Sequence, residues 1–377
     1  MARSRVRGTD NRTAPVKTGT ELAAMIRQID KAHGEGLVFR ARAIHQPLRI
    51  PTGIFSLDLA TCGGIPVRCV TMFHGRRSSG KTTSALKTIA AAQRLYPEGD
   101  IVFIDQEHSF DSVWAAKLGV DLDRLLVVQP ETGEQAVDFI DGFLHTPTVV
   151  LVVLDSVAAL VPMKELKASA EDAHVGIHAK LVTHLMRKVT NAFAVARRDN
   201  RPVTFLCINQ QRSKIGGFSP DGDPINLPGG KALDHYTMLQ VKFKNKEKFA
   251  KDEQGFDMLD INEHAFSIDK NKVNAGIRTG EFQLQRQASS VYPLNEGDID
   301  DAGTMLAYGK KMGIYTGGGQ SWTLELPDKE LKFKSGDAAC NHLYENFEDY
   351  WGLRNHLIAL HSAKLGMPQD FLDRFYE

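Results

Sequence analysis

Residues 70–84 read VTMFHGRRSSGKTTS. An apolar run ends in Gly75, four residues intervene, and Gly80-Lys81-Thr82 opens a stretch of helical composition. The loop Gly75, Arg76, Arg77, Ser78, Ser79, Gly80, Lys81, Thr82, Thr83 lies between a strand and a helix. Glycines there let the backbone approach a ligand closely. The N–H groups at the helix start then point at it, where the dipole favours an anion. This spacing is that of a loop wrapping the phosphates of a nucleotide, with the lysine reaching the β- and γ-phosphates and the threonine hydroxyl binding Mg²⁺. A chance match in a glycine-rich turn would not need the strand before it and the helix after it.

The surrounding pattern fixes the fold class. Apolar runs recur at 70–73, 101–105, 125–128, 149–155, 203–209 and 238–243. Continuous runs of this kind suit strands covered on both faces. Helical stretches such as TSALKTIAAAQRLY and GEQAVDFIDGFLH separate several of them. The expectation is an α/β fold with a mostly parallel sheet. Ligands in such folds sit at the C-terminal strand ends.

The polar residues of interest fall at those ends. Asp155 closes VVLVVLD and suits a water-mediated contact to Mg²⁺; a helix N-cap is the plainer role for an aspartate there. Glu107, just past IVFID, is placed to orient and deprotonate an attacking water, where a lone glutamate would otherwise be a solvated surface group. Asn209-Gln210 ends the next run, and a neutral amide there can sense a γ-phosphate. Two long irregular stretches follow these strands, at 164–180 and 211–234, and loops of that length in a compact domain carry function or are disordered.

Composition excludes little by itself. Lys+Arg and Asp+Glu are both 46 and the formal net charge is zero, so a polyanion site must come from local clustering. Such a cluster exists: residues 174–248 hold thirteen Lys/Arg against five Asp/Glu, although a solvated basic face explains such a stretch equally well. Cys62, Cys69, Cys207 and Cys340 show no metal-ligand spacing and read as reduced, mostly buried thiols of a cytoplasmic protein. No apolar run reaches transmembrane length, which argues against a membrane partner.

At the N-terminus a basic arm precedes TELAAMIRQIDKAH, where Leu22, Met25, Ile26 and Ile29 follow helical periodicity. Thr18 with Glu21 can form a capping box, Gly34 or Gly36 can end the helix, and GLVFRAR at 36–42 reads as a short strand. A lone helix and strand must pack on their own core or on a neighbouring subunit. The tail from about Glu296 reads as a small helical appendage with a hairpin around YTGGGQSW.

The stretches IPTGIFSLDLATCGGIPVRCVTMFHGRRSSGKTT, FIDQEHSFDSVWAAKLGVDLDRLLVVQPETGEQA, VVLDSVAALVP, HLMRKVTNAFA and INQQRSKIGG…PGGKALDHY resemble the RecA family of homologous-recombination ATPases. They stand in the family's order from about residue 20 to 320, and are similar to a divergent bacterial or phage form. The resemblance implies a RecA-type phosphate-loop ATPase core at 46–292, an N-terminal helix–strand oligomerisation segment at 1–45 and a small C-terminal α+β domain at 293–377. It implies ATP and Mg²⁺ as cofactors, and a helical homo-oligomeric filament on single-stranded DNA that pairs with homologous double-stranded DNA, ATP lying between subunits.

By motif position the resemblance makes Glu107 the catalytic carboxylate and Gln210 the γ-phosphate sensor, and sets Asp111 and Trp114 near the adenine. The two irregular stretches match the family's DNA-binding loops. Val175 and Ile215 sit where an apolar side chain wedges between base triplets; Thr183, Arg187, Arg212, Gly229 and Gly230 match positions that hold the DNA backbone, with Gly176, Lys214 and Lys231 beside them. Lys270 and Lys272 match lysines that reach a neighbouring subunit's γ-phosphate. On a strand, Phe266, Ile268, Lys270 and Lys272 share one face; the two ammonium groups side by side repel unless an anion sits between them, and the stretch offers no acidic residue on that same face nearby.

This chain departs from the family pattern at Arg76-Arg77, where Pro-Glu is usual, at Asp234 and His235, where the best-known members carry Lys and an aromatic, and at Lys231 for Asn. Two other readings compete. A phosphate-loop kinase requires an acceptor pocket and lid, for which the sequence offers no candidate. A paralogue that joins or regulates another filament with little hydrolysis remains compatible with Asp234 and His235.

Overall fold

The structure, a computed structural model, describes residues 19–35, 37–41, 45–167, 176–213, 225–251, 257–274 and 276–375. Helix α1 (Thr20–His33) opens the described chain and ends at Gly34, whose φ of 96° needs a glycine. Its N-cap is Gly19, with no side-chain cap; Thr18 of the expected capping box lies outside the described residues. Leu22 and Met25 on its apolar stripe are each 54 % exposed, so their side of the helix finds no cover among the described residues. The strand expected at 36–42 does not form over the described residues 37–41. A strand needs a ladder partner, and among the described residues none runs beside it.

Arg49–Ile50 (β1) pairs antiparallel with Ile65–Pro66 (β2) around the short helix α2 (Phe55–Ala60). The chain then builds one large sheet. Its strands are β3 (Val70–Gly75), β4 (Asp100–Asp105), β5 (Leu125–Val128), β6 (Val149–Asp155) and β7 (Thr204–Gln210). Beyond a two-residue ladder of β8 (Arg212–Ser213) and β9 (Ile225–Asn226) follow β10 (Thr237–Lys251), β11 (Asp257–Asn271) and β12 (Thr279–Gln285). The order across the sheet is β12-β11-β10-β3-β7-β6-β4-β5. The six strands from β10 to β5 run parallel and correspond to the six apolar runs; β11 and β12 add an antiparallel edge.

The apolar runs are continuous because both faces are buried. Ile101, Phe103, Leu151, Val153, Leu206 and Ile208 point to one face, under helix α3 (Lys81–Leu95). Their alternating neighbours Val102, Ile104, Val152, Leu154, Phe205 and Cys207 point to the other. There they meet Ile140 of α5 (Gly133–His145) and Leu185 and Val189 of α7 (Ile177–Arg198), which follows the short α4 (Ser112–Lys117) and α6 (Met163–Lys167). Helix α8 (Gly230–Tyr236) lies against α7 just before β10.

A third apolar cluster joins α9 (Ala302–Met312), a three-stranded antiparallel sheet β13 (Tyr315–Gly318), β14 (Ser321–Glu325) and β15 (Glu330–Phe333), α10 (Gly336–Glu345) and α11 (Phe347–Lys364), with α12 (Gln369–Leu372) near the end. This α+β unit is seated on the core through Phe55 and Leu59 of α2. A buried Arg354–Asp58 ion pair and the Phe55 N–H donating to Asp301 Oδ2 at 2.8 Å cross the same junction. Removing one partner of such a buried pair strands the other charge, at a cost of about 3–5 kcal/mol. The four cysteines are free and buried. Among the described residues no helix is long and apolar enough to cross a membrane.

Candidate functional site

The parallel strands bring their C-terminal ends together: Gly75 lies beside Gln210, and Asp105 beside Asp155. Gly75 is required by crowding, since a Cβ there would come within 2.5 Å of the Phe243 carbonyl. Gly80 caps α3 with φ of 91°, and its added Cβ would meet the His264 ring at 2.6 Å. Lys81 folds back over the loop and its Nζ donates to the Arg76 carbonyl at 2.7 Å. Burial lowers its pKa, and the carboxylates of Asp155 and Glu107 oppose that. Ser79 Oγ is buried with no hydrogen-bond partner among the described residues. Arg76, Arg77 and Ser78 are exposed on the loop's outer side, and Thr83 is half-buried in the first turn of α3.

Beside this cradle, Thr82 Oγ1 donates to Asp155 Oδ2 at 2.6 Å. Burial pushes the Asp155 carboxyl up to about 6, against the Thr82 hydroxyl and Lys81, with Glu107 adding to the rise. An unpartnered hydroxyl, a lysine at the start of a 15-residue helix and a hydroxyl–carboxylate pair of hard oxygens fit a nucleotide phosphate chain with Mg²⁺. Glu107 Oε1 accepts from Gln210 Nε2 at 2.6 Å and from Ser156 Oγ at 2.5 Å. Ser156 is buried and escaped the sequence reading; only its position directly after Asp155 signals it.

Asp111 caps α4 by accepting the Trp114 N–H at 2.9 Å. The Trp114 ring is half-buried, and the Arg286 guanidinium lies over it, 4.4 Å from the ring centre. Nothing in the spacing of residues so far apart announces Arg286; it arrives because β12 ends beside this edge of the core.

Gly176 caps α7 with φ of 86°, and Lys180, His184 and Arg187 are exposed along the helix at steps of four and three. Thr183 is half-buried between them and donates to the Ala179 carbonyl at 2.7 Å. Gly229 and Gly230 start α8 against that helix, where added Cβ atoms would meet Val182 at 3.2 Å and Ala179 at 3.4 Å. Lys231 is exposed. Gly176, Thr183, Arg187, Gly229, Gly230 and Lys231 thus share one region, joined by Lys180, whose spacing of seven from Arg187 could have found it. Val175, Lys214 and Ile215 lie outside the described residues; the Arg212 backbone pairs with Asn226.

One expectation about the lysine strand is corrected. Val241 opposes Ile268 but Gln240 opposes Lys270, so Asp269 is an extra residue in a bulge, and strict alternation from Phe266 to Lys272 is broken. An acidic residue from outside the stretch stands near. Lys270 Nζ donates to the Asp234 carbonyl and lies 3.9 Å from the Asp234 carboxylate. Burial lowers the Lys270 pKa, Asp234 opposes that, and neighbouring Lys272 adds to the fall, so the expected repulsion between the lysines exists. Lys272 is exposed beyond the strand end.

A family model described as the RecA N-terminal domain matches residues 20–288. The chain is similar to Protein RecA of Mycobacteroides abscessus, 37 % identical over 330 residues, covering 87 % of this chain and 88 % of that one. It is 39 % identical to Protein RecA of Frankia alni over 303 residues, covering 80 % and 81 % of the two chains. With Protein RecA of an Arthrobacter species it shares 40 % over 298 residues, 78 % and 80 % of the respective lengths.

Proposed function

The chain belongs to the RecA family, and from that premise we propose that it is an ATP-dependent DNA recombinase of the cytoplasm. It assembles as a helical filament on single-stranded DNA, hydrolyses ATP bound with Mg²⁺ between adjacent subunits, and promotes pairing and strand exchange with a homologous duplex. In this reading residues 1–45 serve assembly, 46–292 hold the ATPase and both DNA-binding loops, and 293–377 form an accessory domain.

The observation that carries the reading is the Gln210–Glu107 hydrogen bond. Gln210 ends β7, and the next residue begins the segment 211–234 that resembles a DNA-binding loop. The candidate base is therefore held by the root of the segment that would feel DNA. Lys81 and the backbone N–H groups at the start of α3 bind the phosphates, and Trp114 with Asp111 holds the adenine. Thr82, with Asp155 through a water, would hold Mg²⁺, which when bound offsets the charge of the phosphates. Glu107 orients water in line with the γ-phosphorus and accepts its proton, Gln210 senses the γ-phosphate, and Lys270 and Lys272 present positive charge to the γ-phosphate of the adjoining subunit. Gly176, Thr183, Arg187, Gly229, Gly230 and Lys231 hold the DNA backbone, in company with Arg212 and Lys214, while Val175 and Ile215 wedge between bases.

The test is phosphate release from ATP with and without single-stranded DNA. Stimulation by DNA supports the reading. Turnover indifferent to DNA, or its complete absence in both conditions, contradicts it.

A further inference from the structure

His74, next to the last residue of β3, is 2 % exposed, yet its ring engages two distant segments. Nδ1 lies 3.1 Å from Gln211 Nε2, and Nε2 lies 3.2 Å from Asp269 Oδ2. The first is a hydrogen bond to the amide; the second is an approach within ion-pair distance of the carboxylate, without the alignment of a hydrogen bond. Gln211 is the first residue of the 211–234 segment, and its own N–H donates to the Gly75 carbonyl at 3.0 Å. Asp269 is the bulged residue that immediately precedes Lys270. A bulge interrupts the ladder locally and leaves the extra residue unpaired, so what pins its side chain decides where its neighbour points.

The far end of the same segment is tied to the same place. Asp234 accepts from Lys270 through its carbonyl, and its carboxylate also accepts from Gln240 at 2.9 Å. Both roots of the segment, Gln211 and Asp234, therefore converge on Asp269-Lys270. A purely space-filling occupant of the His74 position would need only to be apolar. A ring whose two nitrogens each approach a segment bearing candidate site residues does more.

We infer that His74 is a positioning residue, holding the Asp269 bulge, and through it the ammonium of Lys270, in fixed relation to the phosphate loop and the root of the 211–234 segment. This rests on the reading of Lys270 as a lysine that serves a neighbouring subunit's phosphate. His74→Phe keeps a flat aromatic ring and removes both nitrogens. ATP turnover with oligo(dT) should show kcat falling about tenfold while KM for ATP moves less than about twofold, because the lysine is misplaced and the nucleotide cradle is untouched. In a Lys270→Gln background the same change should lower kcat by less than about a further twofold, since coupled residues do not add. Asp269→Asn, at a half-exposed position that folding tolerates, should reproduce the kcat loss at about threefold. Additive losses, a loss confined to KM, or normal kcat in Asp269→Asn would overturn the inference. The unmodified protein with and without DNA is read in the same assay. DNA-indifferent turnover there counts against the proposed function, whereas independence of His74 and Lys270 counts against this inference alone.

Discussion

Gln210 Nε2 donates to Glu107 Oε1 at 2.6 Å, joining the ends of β4 and β7 across the gap in which a nucleotide would lie. Glu107→Gln keeps an amide oxygen for this bond and removes the proton acceptor. ATP binding and DNA-bound filaments should persist while kcat falls by about two orders of magnitude or more. Phosphate release alongside electron microscopy checks both halves. Normal turnover would remove Glu107 from the role of base.

Trp114 lies far from the reacting bond in the proposed scheme, so it binds ground state and transition state alike. Trp114→Ala should raise KM for ATP about tenfold with kcat nearly unchanged. The change also frees the Arg286 guanidinium that now rests on the ring, a contact of about 0.5–1 kcal/mol. An unchanged KM would take the indole out of the nucleotide site.

Much of this arrangement could be read from residue order, and the part that could not has a common cause. The six parallel strands were legible because burial on both faces makes their runs continuous, as at 149–155. Glu107, Asp155 and Gln210 were legible because polar residues closing such runs must lie on one edge of the sheet. Ser156, Arg286 and the Asp234–Lys270 contact were not, because each depends on which distant segments the fold brings together. The bulge at Asp269 was missed for a related reason: register belongs to a pair of strands, and one strand read alone shows only its own alternation. The cover for Leu22 and Met25 is absent from the chain's own described residues, so the helix period announced an apolar stripe without naming what packs on it.

Arg187 projects from α7 into solvent, in line with Lys180 and His184. Arg187→Ala should weaken single-stranded DNA binding similarly for all sequences and reduce the dependence of log affinity on log salt by about one unit. Titrations at several salt concentrations measure this, and an unchanged slope would move the DNA backbone away from α7.

The junction between the core and the C-terminal unit should respond to pH. Burial, with Asp58 and Asp300 nearby, pushes the Asp301 carboxyl up to about 7 from an ordinary 3.8, against the Phe55 N–H and Arg354. The folded state then holds its proton more tightly than the unfolded chain. The stability this contributes is fully present below about pH 4 and is lost as pH rises through about 7, an effect of order 4 kcal/mol. Asp301→Asn should abolish that part of the pH dependence, gaining on the unmodified protein as pH rises. Denaturant unfolding from pH 4 to 8 reads the difference, and parallel curves for the two proteins would refute the assignment.

The trans role of the lysines has its own test. Lys81→Ala lacks the phosphate-loop lysine and Lys272→Ala lacks the one offered to the neighbour, so mixing them should rebuild some intact sites and raise turnover above that of either variant. Mixed filaments with no gain at any ratio would place both lysines in the same subunit's site or put Lys272 outside it.

Strand exchange between circular single-stranded DNA and a homologous linear duplex, with ATP and Mg²⁺, tests the central claim most directly. The account predicts joint molecules that accumulate with the unmodified protein, require homology, and fail to form with Lys81→Ala. Hydrolysis of ATP on single-stranded DNA without any joint molecules would contradict it, leaving a DNA-dependent ATPase that is not a recombinase.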